Sequence, residues 1–209
     1  MSTQKMLSAA DIQSMERFRR RTFMNQLTGF KGLHLIGTQN PDGITNLGLF
    51  SNVVHIGANP GLIGFILRPL TVPRHTYENL KANSWFTFNL VDETMLEAAH
   101  QASAKYEADS SEFDACGFTP QYTERSLAPY VQESVLKLGC TYQEEHLIQA
   151  NNTVLVVGKV EEVLFPEAAL QEDGFMDLSE LKLVAAAGLD AYYTTSFHAR
   201  KEYARPSDQ

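Results

Sequence analysis

The alternation of apolar and polar positions divides this chain into strands with a few helical interruptions. Leu33-His-Leu-Ile-Gly-Thr38 reads as a strand, and Asn40-Pro-Asp-Gly43 as the turn after it. Proline sets φ at the second turn position and glycine tolerates positive φ at the fourth. Ile44 to Ile56 is predicted as the return strand of a β-hairpin. Asn59-Pro-Gly61 marks another turn, and Leu62 to Leu67 a third, largely buried strand. Thr76 to Ala82 is predicted as a short helix capped by Thr76. Ser84 to Val91 alternates bulky and small side chains as a strand does. Val135–Thr141, Glu144–Ala150 and Thr153–Phe165 supply three more strands.

Helices are predicted at the edges of this β pattern. Ser8 can cap a helix, with Asp11 as the third member of a capping box; that helix runs to about Arg20, with Glu16 and Arg20 paired at i,i+4. Thr94 to about Tyr106 has the composition of another. Asp177-Leu-Ser-Glu180 has the spacing of a helix start, with Gly188 as its C-terminal stop. Glu107 to Tyr130 reads as one long loop, a length commonly given to functional or covering segments. The expected organisation is a helical extension over residues 1–29, a domain over 30–203 and a flexible tail over 204–209. The expected fold class is mainly β with peripheral helices, closed as a barrel.

Composition narrows the function. A chain of 209 residues, 44% hydrophobic and 20% charged, can bury a substantial core as one domain. A net charge of −8 weighs against nucleic acid and anionic membrane surfaces. It leaves room for an anionic cofactor, which needs only a local basic pocket. No apolar run approaches the ~20 residues of a membrane helix. Met1 to Ser8 lacks the apolar centre of a secretion signal, so a cytoplasmic location is expected. Cys116 and Cys140 are too few and too far apart for a disulfide framework. The histidines form no metal-binding pair, and Glu144-Glu145-His146 reads as a solvated strand face, so no metal is expected. Arg17, Arg19, Arg20 and Arg21 form a basic cluster, read as a solvated helix face.

The candidate chemistry lies in two segments, Asn46-Leu-Gly-Leu-Phe50-Ser51-Asn52 and Arg68-Pro69 through Pro73-Arg74-His75-Thr76 to Asn79. A strand ending in small polar residues, followed by arginines at a helix start, can seat a ring along the strand and a phosphate on the helix N-terminus. With Asp42-Gly43, Phe88-Asn89-Leu-Val91, Ser111-Glu-Phe113, Gly117-Phe118, Val157-Gly-Lys-Val160, Asp173-Gly174 and Tyr192-Tyr193, in that order and spacing, the chain resembles the flavin reductase-like family of FMN-binding split barrels. Three positions depart from that pattern. Gly29 to Leu33 lacks the usual proline, Asn59-Pro60-Gly61 replaces Pro-Pro, and His75 stands where an acid is frequent.

The resemblance implies a split β-barrel over 30–203 that binds FMN and takes hydride from NADH or NADPH as a transient donor. It implies cofactor contacts from Asn46, Leu49, Phe50, Ser51 and Asn52, and from Arg68, Thr71, Arg74, His75 and Thr76 at the phosphate. Asn89, His100 and Ser103 complete the expected set, and Tyr192-Tyr193 are expected at the flavin or at a dimer seam. No catalytic side chain is expected, because hydride passes directly from nicotinamide to flavin N5. No G-x-G-x-x-G segment occurs, so the nicotinamide would stack in an open cleft. A homodimer is implied, with an oxygenase or another acceptor taking the electrons. The alternative is a non-enzymatic electron carrier fed by a protein donor, in which the Glu107–Tyr130 loop buries the flavin. A weaker one is a relative that binds pyridoxal phosphate.

Overall fold

A computed structural model describes residues 3–206. Residues 1–2 and 207–209, which begin the expected extension and end the expected tail, lie outside it. Two short helices come first, α1 (Ala9–Ser14) and α2 (Arg17–Gln26). Ser8 caps α1 through the predicted capping box, its N–H donating to the Asp11 carboxylate at 2.8 Å. The helix does not continue to Arg20. The backbone becomes extended at Met15, and Glu16 starts a second helix by accepting from the N–H groups of Phe18 and Arg19. Glu16 therefore caps rather than pairs, and Arg20 donates to the carbonyls of Gln13 and Met15 at 2.6 and 3.2 Å.

The chain then forms β1 (Lys31–Gly32), β2 (His34–Gln39), β3 (Thr45–Phe50), β4 (Val53–Ala58), β5 (Gly61–Leu67), α3 (His75–Asn83) and β6 (Trp85–Leu90). Next come α4 (Leu96–Gln101), α5 (Glu112–Cys116), β7 (Pro120–Gln121), β8 (Tyr130–Val131), β9 (Lys137–Ile148), β10 (Thr153–Leu164), β11 (Val184–Ala187) and β12 (Ala191–Thr194). Seven strands make one antiparallel sheet in the order β3-β2-β6-β9-β10-β5-β4. β1, β11 and β12 form a small second sheet, and β7 pairs with β8. The fold is mainly β with peripheral helices, as the sequence predicts.

Several boundaries differ from expectation. The return strand predicted over 44–56 is two strands, because Ser51-Asn52 breaks the alternation and carries the chain across. β3 closes one end of the sheet order and β4 the other. The Asn52 carbonyl meets the opposite bank, accepting from Ile66 N at 3.1 Å. The strands predicted over 135–141 and 144–150 are the single strand β9, bulged where its register slips between Tyr142 and Glu144. The helix predicted from Thr94 ends at Gln101. The helix predicted after Asp177 is absent. The Asp177 carboxylate accepts from Ser179 N–H and O–H at 2.9 and 2.6 Å, a local turn that competes with the helix. Gly188, at φ +80, serves the turn between β11 and β12.

Two apolar clusters use the two faces of the sheet. Along β2, Leu35 joins Leu47, Val91, Phe113 and Val131, while Ile36 joins Phe65, Phe86, Phe88 and Val156 inside the barrel. The three phenylalanine rings meet one another edge-on or tilted at 5.4–5.8 Å. The Glu107–Tyr130 region holds α5 and β7, and its later part lies flat on the sheet. At Gly37 a Cβ would sit 2.3 Å from the Pro129 carbonyl, so this contact needs glycine. Thr87 donates to the same carbonyl at 2.7 Å.

His34 faces the barrel end beside Phe88, their rings edge-on at 5.9 Å. Its Nδ1 is buried and has no hydrogen-bond partner among the described residues, although another edge of the residue remains accessible. Burial pushes its pKa down to about 4, against a smaller opposing effect from backbone groups of Gly32 and Phe50.

Candidate cofactor site

The crossing from β3 to β4 and the start of α3 bound a groove of about 1110 Å³. One bank is β3 with Ser51 and Asn52. The other is the end of β5, with Arg68, and residues 72–76. Residues 102–108, Gly188, Leu189, Tyr192 and Asn25 of α2 complete the rim. The groove gathers Asn46, Leu49, Phe50, Ser51, Asn52, Arg68, Arg74, His75, Thr76 and Ser103.

Three expected residues lie outside this lining. Thr71 is exposed in the turn before α3. Asn89 is fully buried on β6. Its amide donates to Leu35 O and Thr87 Oγ1 and accepts from Val131 N, so the core uses its polar capacity. His100 is exposed on α4 and shares a 2.6 Å hydrogen bond with the Tyr192 hydroxyl, so only Tyr192 connects it to the groove.

The start of α3 is the polar end. Its N-cap is Arg74, which makes no side-chain cap bond. Arg74, His75, Thr76 and Glu78 of this helix start line the groove, at the positive end of the helix dipole, and the Glu78 carboxylate accepts from Arg74 N at 3.2 Å. Thr76 is not the predicted cap. It is buried in the first turn, and its Oγ1 accepts from Asn46 Nδ2 at 3.2 Å. Asn46 and Asn79 both donate to Thr38 Oγ1, at 3.3 and 3.2 Å, which ties α3 to the β2–β3 hairpin.

Arg74 is the least satisfied group here. Its Nη2 reaches Pro69 O only at 3.5 Å, and its Nε is buried with no partner among the described residues. A buried guanidinium N–H left unpaired is costly, and an anion beside it removes that cost. Arg68 stands exposed nearby at the end of β5.

Sequence reasoning did not place Glu112, Lys105 or Tyr106 at the groove. Glu112 is 6% exposed and accepts from Leu47 N at 3.0 Å, which satisfies a donor on the outer edge of β3. Burial raises its pKa above the usual carboxylate range, with the Leu47 bond opposing. The available signal was Ser111-Glu112-Phe113. A capping serine and a core phenylalanine fix α5, and the acid between them is then held to β3.

The profile of the flavin reductase like domain matches residues 30–188. The chain belongs to that family. This flavin reductase-like protein is similar to a candidate flavin reductase with a split barrel domain from Shewanella frigidimarina NCIMB 400. The two share 44% identity over 96% of this chain and 100% of the other, with a TM-score of 0.93. Nitrilotriacetate monooxygenase component B from Bacillus cereus shares the fold at 18% identity, covering 95% and 100% of the two chains at TM-score 0.83. Flavoredoxin of Desulfovibrio vulgaris (Miyazaki F) does so at 23% identity, 83% and 91% coverage and TM-score 0.71. The fold is the split barrel and the cofactor class is a flavin, which makes the family member a flavin-linked oxidoreductase. The orphaned Arg74 Nε, the uncapped α3 and the adjoining strand bank fit a phosphorylated flavin.

Proposed function

We propose that the protein binds FMN and acts as an NAD(P)H-dependent flavin reductase. The observation that carries this reading is Arg74, which lines the groove at a helix start without a side-chain cap and whose buried Nε has no partner among the described residues. Arg74, Arg68 and the first-turn N–H groups of α3 hold the phosphate, with His75 beside them. Asn46, Leu49, Phe50, Ser51 and Asn52 form the bank along which the ring lies, and Ser103 faces it. Thr76 acts from behind by fixing Asn46. When bound, FMN supplies the N5 position that accepts hydride and stores the electron pair. The chain's task is to orient it and leave one ring face open.

That opening favours a reductase over a sealed carrier. The long loop region borders the groove at Glu107, Ala108 and Glu112, whereas its Phe113, Phe118, Ala128 and Tyr130 are buried in the core and do not roof the groove. Adding NADH or NADPH without air to the FMN-loaded protein is therefore expected to bleach the visible flavin bands. No bleaching with either nucleotide would overturn the reductase reading in favour of a carrier fed by a protein donor.

Assembly is part of the same proposal. Val54 and Ile56 are exposed on β4, which ends the sheet order, and Phe30 and Tyr193 pair at 4.7 Å on the surface. A second copy covers such apolar surface most simply. Light scattering at low micromolar protein should give a dimer mass, and a monomeric mass would remove this part. An oxygenase component is the proposed acceptor of reduced flavin, by likeness to the monooxygenase component B fold.

A further inference from the structure

The basic cluster on α2 is the sequence feature that the flavin site leaves unused. Its arginines do not act alike. Arg20 is bound to the carbonyls of Gln13 and Met15 and locks the corner between α1 and α2. Arg17, Arg19 and Arg21 are exposed, and none has a carboxylate within 4.0 Å among the described residues. Arg17 and Arg21 flank the Phe18 ring, their guanidinium carbons 5.9 and 5.1 Å from its centre, and the ring is 59% exposed.

This face of α2 leads to the flavin groove. Asn25 lines the groove, and helical periodicity places Arg21, Phe18 and Arg17 on the same face at four, seven and eight residues before it. Phe18 is thus about 10 Å along the axis from Asn25. The helix is anchored at its groove end, where Lys31 Nζ donates to Asn25 O at 3.0 Å. A half-exposed aromatic ring with two guanidinium groups beside it, neither paired with a carboxylate among the described residues, on an otherwise acidic chain, suits a ligand that joins a flat base to phosphates.

We propose that Arg17, Phe18 and Arg21 seat the adenosine end of NADPH while its nicotinamide lies in the groove. The base stacks on Phe18. Arg21, on the groove side of the ring, takes the pyrophosphate, and Arg17, on the far side, takes the 2′-phosphate. This rests on the nicotinamide reading above and adds a preference for NADPH over NADH. The chain carries no glycine-rich dinucleotide loop, so the outer half of the donor needs another hold, and this face provides it.

The test uses the full chain and two readouts. The first is calorimetric binding of 2′,5′-ADP and 5′-ADP to the flavin-free protein. The second is the KM of the FMN-loaded protein for NADPH and for NADH. Arg17→Ala should weaken 2′,5′-ADP and raise the KM for NADPH by about tenfold, and leave 5′-ADP and NADH unchanged. Arg21→Ala should weaken both probes and raise both KM values, with kcat and FMN affinity unchanged. Wild-type affinities in the double variant, or no binding of 2′,5′-ADP to the wild type, would overturn the site. If the wild type binds 2′,5′-ADP through these residues but oxidises neither nucleotide, the site stands and the reductase reading falls. If both nucleotides are oxidised with KM values that ignore the substitutions, the reductase stands and the site falls.

Discussion

Arg74→Ala is expected to weaken FMN binding by about 10- to 100-fold while leaving riboflavin binding unchanged. A hydrogen bond to a charged partner contributes roughly 1.5–3 kcal/mol, and each 1.4 kcal/mol is about a factor of ten. Arg74 is the group from which this is expected, because its Nε is buried without a partner among the described residues and its carbonyl contact there is long. Little folded-state bonding is lost with the side chain, so the melting temperature of the flavin-free protein should barely move. Riboflavin lacks the phosphate and separates the charge effect from any change in groove shape. Fluorescence titration of both ligands is the measurement. An equal loss for the two would make Arg74 a shape-determining residue, and no loss for either would place the phosphate elsewhere, with Arg68 the next group to replace.

Acid is expected to destabilise the protein through His34 by about 2 kcal/mol between pH 7 and pH 5, approaching about 3 kcal/mol near pH 4. The folded-state pKa is about 4, below the ordinary histidine value of 6.5. As pH falls through 6.5 the unfolded chain takes up the proton first, so stability drops across the window from 6.5 to 4 and then levels for this group. The cause is burial of the ring beside Phe88, where Nδ1 has no partner among the described residues. The accessible edge of the residue makes these figures upper values. Urea midpoints at pH 7 and pH 5 for wild type and His34→Gln give the test. A variant with the same pH dependence as wild type would show that other groups set the acid limit.

What the sequence revealed and what it concealed follow from how local each signal is. The first hairpin was legible because Asn40 to Gly43 carries turn chemistry between two alternating runs. The polar end of the groove was legible because Arg74 and the start of α3 are contiguous. Ser51-Asn52 was visible as a polar interruption, but the place of the β4–β5 hairpin at the far end of the sheet is set by the pairing of β5 with β10, a strand far downstream in sequence. Asp177-Leu-Ser-Glu180 looked like a helix start because the bonds of a cap and of a local turn use the same residues. Thr76 and Asn89 are polar residues whose partners come from other strands, so spacing could not tell a cofactor contact from an internal bond. Glu112 reaches the groove through tertiary folding of a region that reads as loop, and Tyr106 does so because the helix predicted as far as that residue stops at Gln101.

The split between β3 and β4 has a consequence for biosynthesis. The two banks of the groove are neighbours in sequence and meet directly at the Ile66 N–Asn52 O bond, yet the sheet joins them by way of β2, β6, β9 and β10. A nascent chain that has emerged as far as α3 contains both hairpins and the groove arginines Arg68 and Arg74. It still lacks the strands that set the two banks at their working separation. β10 ends at Leu164, so the groove acquires its width only after that segment leaves the ribosome and makes its long-range pairings with β5. Flavin capture in this groove is accordingly a late step, open only to a chain whose barrel strands have already paired.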